Sequence, residues 1–175
     1  MISALLAAPP RLGGVRVLAV DGPSGAGKST LAAAVVAELG ERAALVSTDA
    51  FATWDNLVAW WPQLERGVLE PLSLGRAGEY RQVDWTSGEP RPGALVTVGV
   101  PEVLVLEGVS GGRRAMRSRL AHLCWIEGGT EAERLERAVA RDGEASRADL
   151  RRWQLFEQGW FAVDGTRESA QTRLP

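Results

Sequence analysis

The sequence predicts an α/β fold in which a central, mostly parallel β-sheet is flanked by helices. Short apolar runs, typical of strands buried on both faces of a sheet, alternate with longer segments of helical periodicity. A glycine-rich loop stands between the first such strand and the first helix. The 175 residues, 45% of them hydrophobic, suit one folded unit. We expect a single domain over residues 15–175, preceded by a loose N-terminal tail over residues 1–14.

The predicted elements follow a regular order along the chain. The first strand, Val15–Val20, leads through the glycine-rich loop into a helix from Ser29 to Leu39, which Gly40 ends. The other predicted strands cover residues 44–47, 103–106 and 123–126. The sequence leaves open whether a last strand at the end of the chain is short or is supplied by residues 171–174. Residues 80–85 and 94–98 are expected to form a hairpin, and the remaining helices are expected at 54–69, 113–120, 130–141 and 150–163. Thr130 and Glu133 form a capping-box pattern at the start of the fourth of these five helices.

Composition excludes several classes of protein and of site. A net charge of −2 lacks the basic excess of a non-specific nucleic-acid binder. One cysteine, Cys124, excludes an intrachain disulfide, and one histidine, His122, excludes a zinc site built on several histidines. No run approaches the ~20 apolar residues of a membrane helix. We expect a cytoplasmic protein that binds neither nucleic acid nor a membrane, and the sequence leaves its oligomeric state open.

The glycine-rich loop carries the most specific motif in the chain. Its residues match the phosphate-loop pattern G-x-x-x-x-G-K-[ST] at every fixed position: Gly22, Pro23, Ser24, Gly25, Ala26, Gly27, Lys28 and Ser29. Glycines let backbone N–H groups reach phosphate oxygens, and the helix N-terminus favours anions. Lys28, the single lysine among 20 basic residues, would reach the β and γ phosphates, Ser29 would ligate Mg²⁺, and Thr30 would support the phosphates more weakly. A chance match is the alternative, but the position between a buried strand and a helix favours a nucleotide site.

Further segments, in the same order along the chain, resemble the uridine kinase family of P-loop nucleoside kinases. They are the first strand and loop (17–30), Ser47-Thr48-Asp49-Ala50-Phe51, Tyr80-Arg81-Gln82-Val83-Asp84-Trp85, Leu104-Val105-Leu106-Glu107-Gly108-Val109 and the arginine-bearing stretch 134–142. The resemblance implies a P-loop NTPase fold with five parallel strands in the order 2-3-1-4-5. It also implies an ATP- and Mg²⁺-dependent kinase.

Asp49 follows a predicted buried strand, at the sheet edge where α/β proteins bind ligands. The resemblance implies that its carboxylate accepts the proton of the substrate hydroxyl, which is chiefly an orienting role in phosphoryl transfer. A structural aspartate at a turn or a helix N-cap is the alternative.

The resemblance also implies that the 80–85 segment contacts the substrate, with Asp84 on sugar hydroxyls, Trp85 on a base and Tyr80 as a weaker contact. An ordinary surface hairpin is the alternative. The chain departs from the family in two places. The residues directly after Trp85, Thr86-Ser87-Gly88-Glu89-Pro90-Arg91, lack the histidine that follows this segment in the family, and Ala50 stands where the family has a second aspartate. Most of the seven tryptophans are expected in the core, with Trp54 and Trp85 near the substrate.

Glu107 ends a buried strand, where P-loop enzymes place an acidic residue near Mg²⁺, although it could instead cap the next element.

Arg134, Arg137 and Arg141 share one helix face. The resemblance places such arginines in a lid over the transferring phosphate, and we count Arg137 and Arg141 as catalytic candidates. A solvated, salt-bridged face is the alternative, and it is favoured for Arg134.

These residues support two hypotheses of function. The first is a kinase that transfers the γ-phosphate of ATP to a hydroxyl of a small molecule, for which a nucleoside such as uridine is a candidate. The second is a nucleotide-binding module or slow ATPase that acts on a partner. The missing histidine and Ala50 keep the second hypothesis open.

Overall fold

The computed structural model describes residues 1–175 and contains seven helices and seven strands, apart from short 3₁₀ and π turns. In chain order they are α1 (Ile2–Ala7), β1 (Arg16–Asp21), α2 (Lys28–Leu39), β2 (Ala43–Ser47), α3 (Trp61–Leu64), α4 (Glu70–Ser73), β3 (Gly78–Asp84), β4 (Arg91–Val98), β5 (Val103–Glu107), β6 (Leu120–Ile126), α5 (Glu131–Asp142), α6 (Arg147–Asp164), α7 (Thr166–Ser169) and β7 (Thr172–Leu174). Strands alternate with helices through most of the chain, which confirms the predicted α/β class.

Five parallel strands form the central sheet in the order β2-β5-β1-β6-β7. This is the 2-3-1-4-5 order that the family resemblance implies, because β5, β6 and β7 are the third, fourth and fifth parallel strands along the chain. The last strand is present but short, and its Thr172 lies opposite Cys124 of β6. The carboxyl ends of β1, β2 and β5 therefore meet at one edge of the sheet, and the loops that follow these three strands lie together there.

The sheet separates two apolar clusters. Side chains alternate across β1, so that Val17 and Ala19 pack on one face while Leu18 and Val20 pack on the other. The second face is covered by α2, whose Ala32 and other apolar residues lie against it. Every residue of β5 is buried, as expected for a central parallel strand covered on both faces.

The first fourteen residues differ from the expected loose tail. Residues 2–7 form α1, and the Leu5 side chain is fully buried in the apolar cluster on the α2 side of the sheet. The Arg16 Nε donates a hydrogen bond to the Ala8 carbonyl at 2.8 Å, which ties the end of α1 to β1. This helix could not be predicted from residues 1–14 alone, because a six-residue helix has almost no stability of its own and depends on the surface it covers.

Two predicted helices are shifted or different in kind. Helical structure expected over residues 54–69 instead runs from Trp61 to Ser73, as α3, a π turn at Glu65–Leu69 and α4. Pro62 lies in the first turn of α3, where the missing N–H costs no hydrogen bond. The predicted 113–120 helix is a 3₁₀ segment over Arg114–Arg119.

The antiparallel pairing of β3 with β4 confirms the predicted hairpin. Both strands begin earlier than expected, and β3 ends at Asp84, so that Trp85 lies just beyond it. The hairpin packs against the π turn, where Gly67 and Gly78 allow the two backbones to approach closely. No helix of the protein is both long and apolar enough to cross a membrane.

Candidate active site

The phosphate loop joins the end of β1 to the start of α2, as the motif requires. Gly22, Gly25 and Gly27 all have positive φ angles of 144°, 74° and 95°, which side-chain-bearing residues rarely adopt. A Cβ atom at Gly22 would collide with the carbonyl oxygen of Ile126, and one at Gly25 would collide with that of Arg134. The loop is therefore held between the end of β6 and helix α5, and Gly22 and Gly25 are needed for this packing as well as for the shape of the loop.

Lys28 is buried, and its Nζ donates to the Pro23 carbonyl at 2.9 Å across the loop. The carboxylate of Asp21, at the other end of the loop, accepts hydrogen bonds from the backbone N–H groups of Gly22, Ser110 and Gly112. Burial nevertheless raises the pKa of Asp21 to about 6. Asp21 thus anchors the loop after β5 to the base of the phosphate loop.

Ser29 and Glu107 lie side by side, with the Ser29 hydroxyl donating to Glu107 Oε2 at 3.3 Å. Burial raises the pKa of Glu107, with a further increase from the nearby Asp49 carboxylate. Mg²⁺ prefers hydroxyl and carboxylate oxygens, and in phosphate sites it uses one or two protein ligands together with the phosphates. The pair therefore fits the Mg²⁺ site expected from the sequence. Thr30, one residue further along α2, is exposed.

Asp49 lies in a 3₁₀ turn directly after β2, with its backbone N–H bonded to the Ser47 hydroxyl at 3.3 Å. Its side chain is exposed, and it lines a cavity of about 470 Å³ together with Ser24 of the phosphate loop. A volume of this size is within the roughly 300–1,000 Å³ range of small-molecule sites. The cavity is thus bordered on one side by the phosphate loop and on another by a carboxylate.

Three tryptophans form the aromatic wall of this cavity. The ring of Trp54 makes edge-on contacts with Trp85 at 4.9 Å and with Trp153 at 5.9 Å between centroids. The Trp85 Nε1 donates to the backbone carbonyl of Asp49 at 3.4 Å, which links the hairpin to the turn after β2. Sequence analysis placed Trp54 and Trp85 near the substrate but assigned Trp153 to the core. Trp153 in fact packs in the core and also lines the cavity.

The other two residues proposed from the 80–85 segment do not line the cavity. Asp84 accepts a hydrogen bond from the Thr86 N–H at 2.9 Å, and this bond lowers the pKa of the Asp84 carboxyl. The Tyr80 ring packs against Phe51 at 4.7 Å, and burial raises the pKa of its hydroxyl. In this conformation both residues shape the hairpin that carries Trp85.

Of the three arginines that the resemblance assigns to a lid, only Arg141 lines the cavity, where it is paired with its neighbour Asp142 at 2.6 Å between Nε and Oδ1. Arg137 donates to the carbonyl of Gly25 at 2.8 Å and to that of Gly128. Arg134 donates to the carbonyls that flank Gly128 in the chain. Arg137 therefore joins α5 to the phosphate loop itself, while Arg134 closes the turn before α5.

Glu157 is the residue of this region that sequence analysis missed. It lies on α6 and is almost completely buried, and its carboxylate binds both the backbone N–H and the hydroxyl of Ser24. One signal was available. Glu157 is four residues after Trp153 and three before Trp160, so an acidic side chain occurs on the helix face that these aromatic residues share.

Comparisons with known proteins give matches among solved structures alone, because no family model and no curated protein matches the chain. A possible uridine kinase from Bacillus stearothermophilus superimposes with a TM-score of 0.66 and 15% identity, over 93% of this chain and 89% of that one. A candidate fructose transport system kinase from Silicibacter sp. TM1040 superimposes with a TM-score of 0.62 and 22% identity, over 95% and 89% of the two chains. The chain therefore has the fold of the P-loop kinases, as the motif and the resemblance predict.

Proposed function

We propose that this protein is an ATP-dependent phosphotransferase that transfers the γ-phosphate of Mg-ATP to a hydroxyl group of a small, uncharged molecule. The observation that carries the proposal is that Asp49 and Ser24 of the phosphate loop line the same cavity. An acceptor in this cavity would have its hydroxyl near a carboxylate on one side and near the phosphate loop on the other. A protein that only bound nucleotide would have no need of this arrangement.

Each residue then has a defined role. The backbone N–H groups of the loop and Lys28 would hold the phosphates, and Ser29 with Glu107 would hold Mg²⁺. Mg-ATP, when bound, supplies the phosphoryl group and the neutralising cation. Asp49 would orient the acceptor hydroxyl and accept its proton as the new O–P bond forms, with ADP as the leaving group.

The charges around the cavity favour a neutral acceptor over an anionic one. Arg141 is paired with Asp142, so the carboxylate of Asp49 is the charge that is left unbalanced. A carboxylate-bearing acceptor would meet like charge there, whereas a hydroxyl group would be attracted as a hydrogen-bond donor. The aromatic wall of Trp54, Trp85 and Trp153 suits a flat ring or the apolar face of a sugar. A nucleoside such as uridine and a neutral sugar are the first acceptors to test, and we place the reaction in the cytoplasm.

The test is the release of ADP from Mg-ATP with and without a panel of nucleosides, neutral sugars and hydroxy acids. We expect one class of neutral acceptor to stimulate turnover, and Asp49→Asn to reduce that stimulated rate by ~10²-fold or more. Asp55→Asn, which removes one exposed carboxylate nearby in the chain, serves as the matched control and should retain the wild-type rate.

Two results would contradict the proposal. ATP turnover that no acceptor stimulates would favour a slow ATPase or a nucleotide-binding module. Stimulated turnover that Asp49→Asn retains would remove Asp49 from the reaction and leave the acceptor site to be located elsewhere.

A further inference from the structure

Glu157 binds the phosphate loop in a way that the proposed reaction does not explain. Both of its carboxylate oxygens lie 3.0 Å from the Ser24 backbone nitrogen, and the Ser24 hydroxyl donates to Oε2 at 2.9 Å. The side chain is 2% exposed. A buried acid from a helix far along the chain thus satisfies donors in the loop that is built to receive anions.

The charge of this acid is not balanced by a direct ion pair, because all of its hydrogen bonds come from Ser24. The cations that face it are Lys28, whose Nζ is bonded to Pro23, and Arg134 of α5, which is bonded to backbone carbonyls. Two further carboxyl groups, Asp21 at the end of β1 and Glu107 at the end of β5, interact electrostatically with the same Lys28.

Burial raises the pKa of Glu157 to about 7, although Lys28, the hydrogen bonds from Ser24 and Arg134 all act in the opposite direction. The group can therefore change its charge near neutral pH with little free-energy cost. A triphosphate bound in the same loop adds several negative charges and competes for Lys28, and like charge favours the neutral form of a carboxyl group.

We propose that Glu157 is a positioning residue of the nucleotide site, which holds Ser24 as a carboxylate when the loop is empty and as the neutral acid when phosphates are bound. The inference rests on the nucleotide-binding part of the proposed function but not on the identity of the acceptor. Nucleotide binding then takes up proton from solvent at Glu157, approaching one full proton above neutral pH, and the acid continues to link α6, which carries Trp153, to the phosphate loop.

The test is the affinity for a Mg²⁺-bound, non-hydrolysable ATP analogue between pH 6 and pH 8.5, measured by titration calorimetry in buffers of different ionisation enthalpy. If only the protein with neutral Glu157 binds, wild-type affinity falls with rising pH, up to a limiting tenfold loss per pH unit above neutrality. Glu157→Gln is neutral at every pH and retains a similar shape. It should bind at pH 8 about as well as wild type does at pH 6, with less proton uptake. Glu38→Gln, on the exposed side of α2, is the matched control and should behave as wild type.

A second variant keeps the proposal testable if Glu157→Gln does not fold. Ser24→Ala removes the hydroxyl that stabilises the ionised form, so the loss of affinity should begin at a higher pH than in wild type. An unchanged pH dependence in both variants would overturn the proposal. So would a uniform loss of affinity in Glu157→Gln with the wild-type pH dependence, because that result would indicate a structural role only.

The nucleotide-binding test and the kinase test can fail independently of each other. Proton-linked binding of the analogue without any acceptor-dependent turnover would support the positioning role of Glu157 and contradict the proposed kinase activity. Failure of the analogue to bind wild type at every pH would remove the nucleotide site, and this inference with it.

Discussion

Lys28 is the single lysine among 20 basic residues, and its side chain is buried inside the phosphate loop. A compact ammonium group on a flexible stem can turn from the Pro23 carbonyl to a phosphate, whereas a planar guanidinium needs more room and presents a fixed fork of donors. The unusual choice of lysine therefore has a steric reason at this position.

The first prediction follows from this difference. Lys28→Arg keeps the charge but should lower acceptor-dependent ADP release by about 10²-fold, because the larger group displaces the loop or the phosphates. Arg42→Lys is the reverse change at an exposed ion pair with Glu102, and it should leave the rate unchanged. Steady-state rates of the two variants give the comparison. A Lys28→Arg variant as active as wild type would show that only the charge matters.

A second prediction concerns Asp21 and the pH dependence of the free energy of unfolding. The pKa of Asp21 is raised from 3.8 to about 6 in the folded protein, so the native state binds more protons than the unfolded state between pH 4 and pH 6. The contribution of Asp21 to the free energy of unfolding therefore falls as pH rises through this window, by at most ~1.4 kcal/mol per pH unit.

Asp21→Asn removes this titration and also turns an amide donor toward the Ser110 or Gly112 N–H. We expect the variant to be less stable than wild type near pH 4.5 by about 1–3 kcal/mol, with a difference that narrows toward pH 6.5. Urea unfolding at pH 4.5, 5.5 and 6.5 measures it, with Asp55→Asn as the exposed control. A difference that stays constant with pH would contradict the assignment.

At the scale of elements, prediction succeeded where local chemistry decides the structure. The capping box at α5 is present, with the Thr130 hydroxyl accepting from the Glu133 N–H and the Glu133 carboxylate accepting from Thr130. Such signals act within one turn and can be read from residues three apart. The short buried strands were likewise predicted, because continuous apolar runs have few other uses in a fold of this class.

Prediction failed where an element depends on a surface that is distant in sequence. Helix α1 has six residues and exists because Leu5 fits the cluster formed by β1, β5, β6 and α2. Nothing in residues 1–14 reveals that cluster. The same limitation applies to the shifted helix at Trp61–Ser73, whose start is set by turns over the preceding residues rather than by its apolar spacing.

The packing of α1 gives a third prediction. Leu5→Ala should lower the free energy of unfolding by about 2–5 kcal/mol, as expected for a fully buried leucine, while the adjacent and partly exposed Leu6→Ala should have a smaller effect. Urea unfolding followed by tryptophan fluorescence gives both values. Equal and small effects would mean that α1 does not pack on the sheet in solution.

At the scale of the whole molecule, the candidate site is assembled from segments that are far apart in the chain. The phosphate loop, Asp49, the hairpin tryptophan Trp85 and the α6 residues Trp153 and Glu157 meet at the edge where the parallel strands end. The motif located the loop, and the resemblance located Asp49. The contribution of α6 was not predicted, because helical periodicity shows that a face is buried but not what it is buried against.

The lid supplies the last prediction. Arg141 lines the cavity but is paired with Asp142, so in the proposed reaction it would have to exchange that partner for the transferring phosphate. An exposed ion pair of this kind contributes only about 0–1 kcal/mol, which makes the exchange energetically easy. Asp142→Asn should therefore leave the rate unchanged or raise it.

Arg141→Ala should lower kcat by about tenfold or more, with a smaller change in KM, because the guanidinium acts on charge that develops in the transition state. Arg147→Ala is the control, since Arg147 begins α6 and pairs with Glu136 and Glu144 instead of lining the cavity. Measurement of kcat and KM for all three variants distinguishes the two arginines. An Arg141→Ala variant with the kcat of wild type would assign Arg141 to the solvated, salt-bridged helix face that was the alternative for this segment.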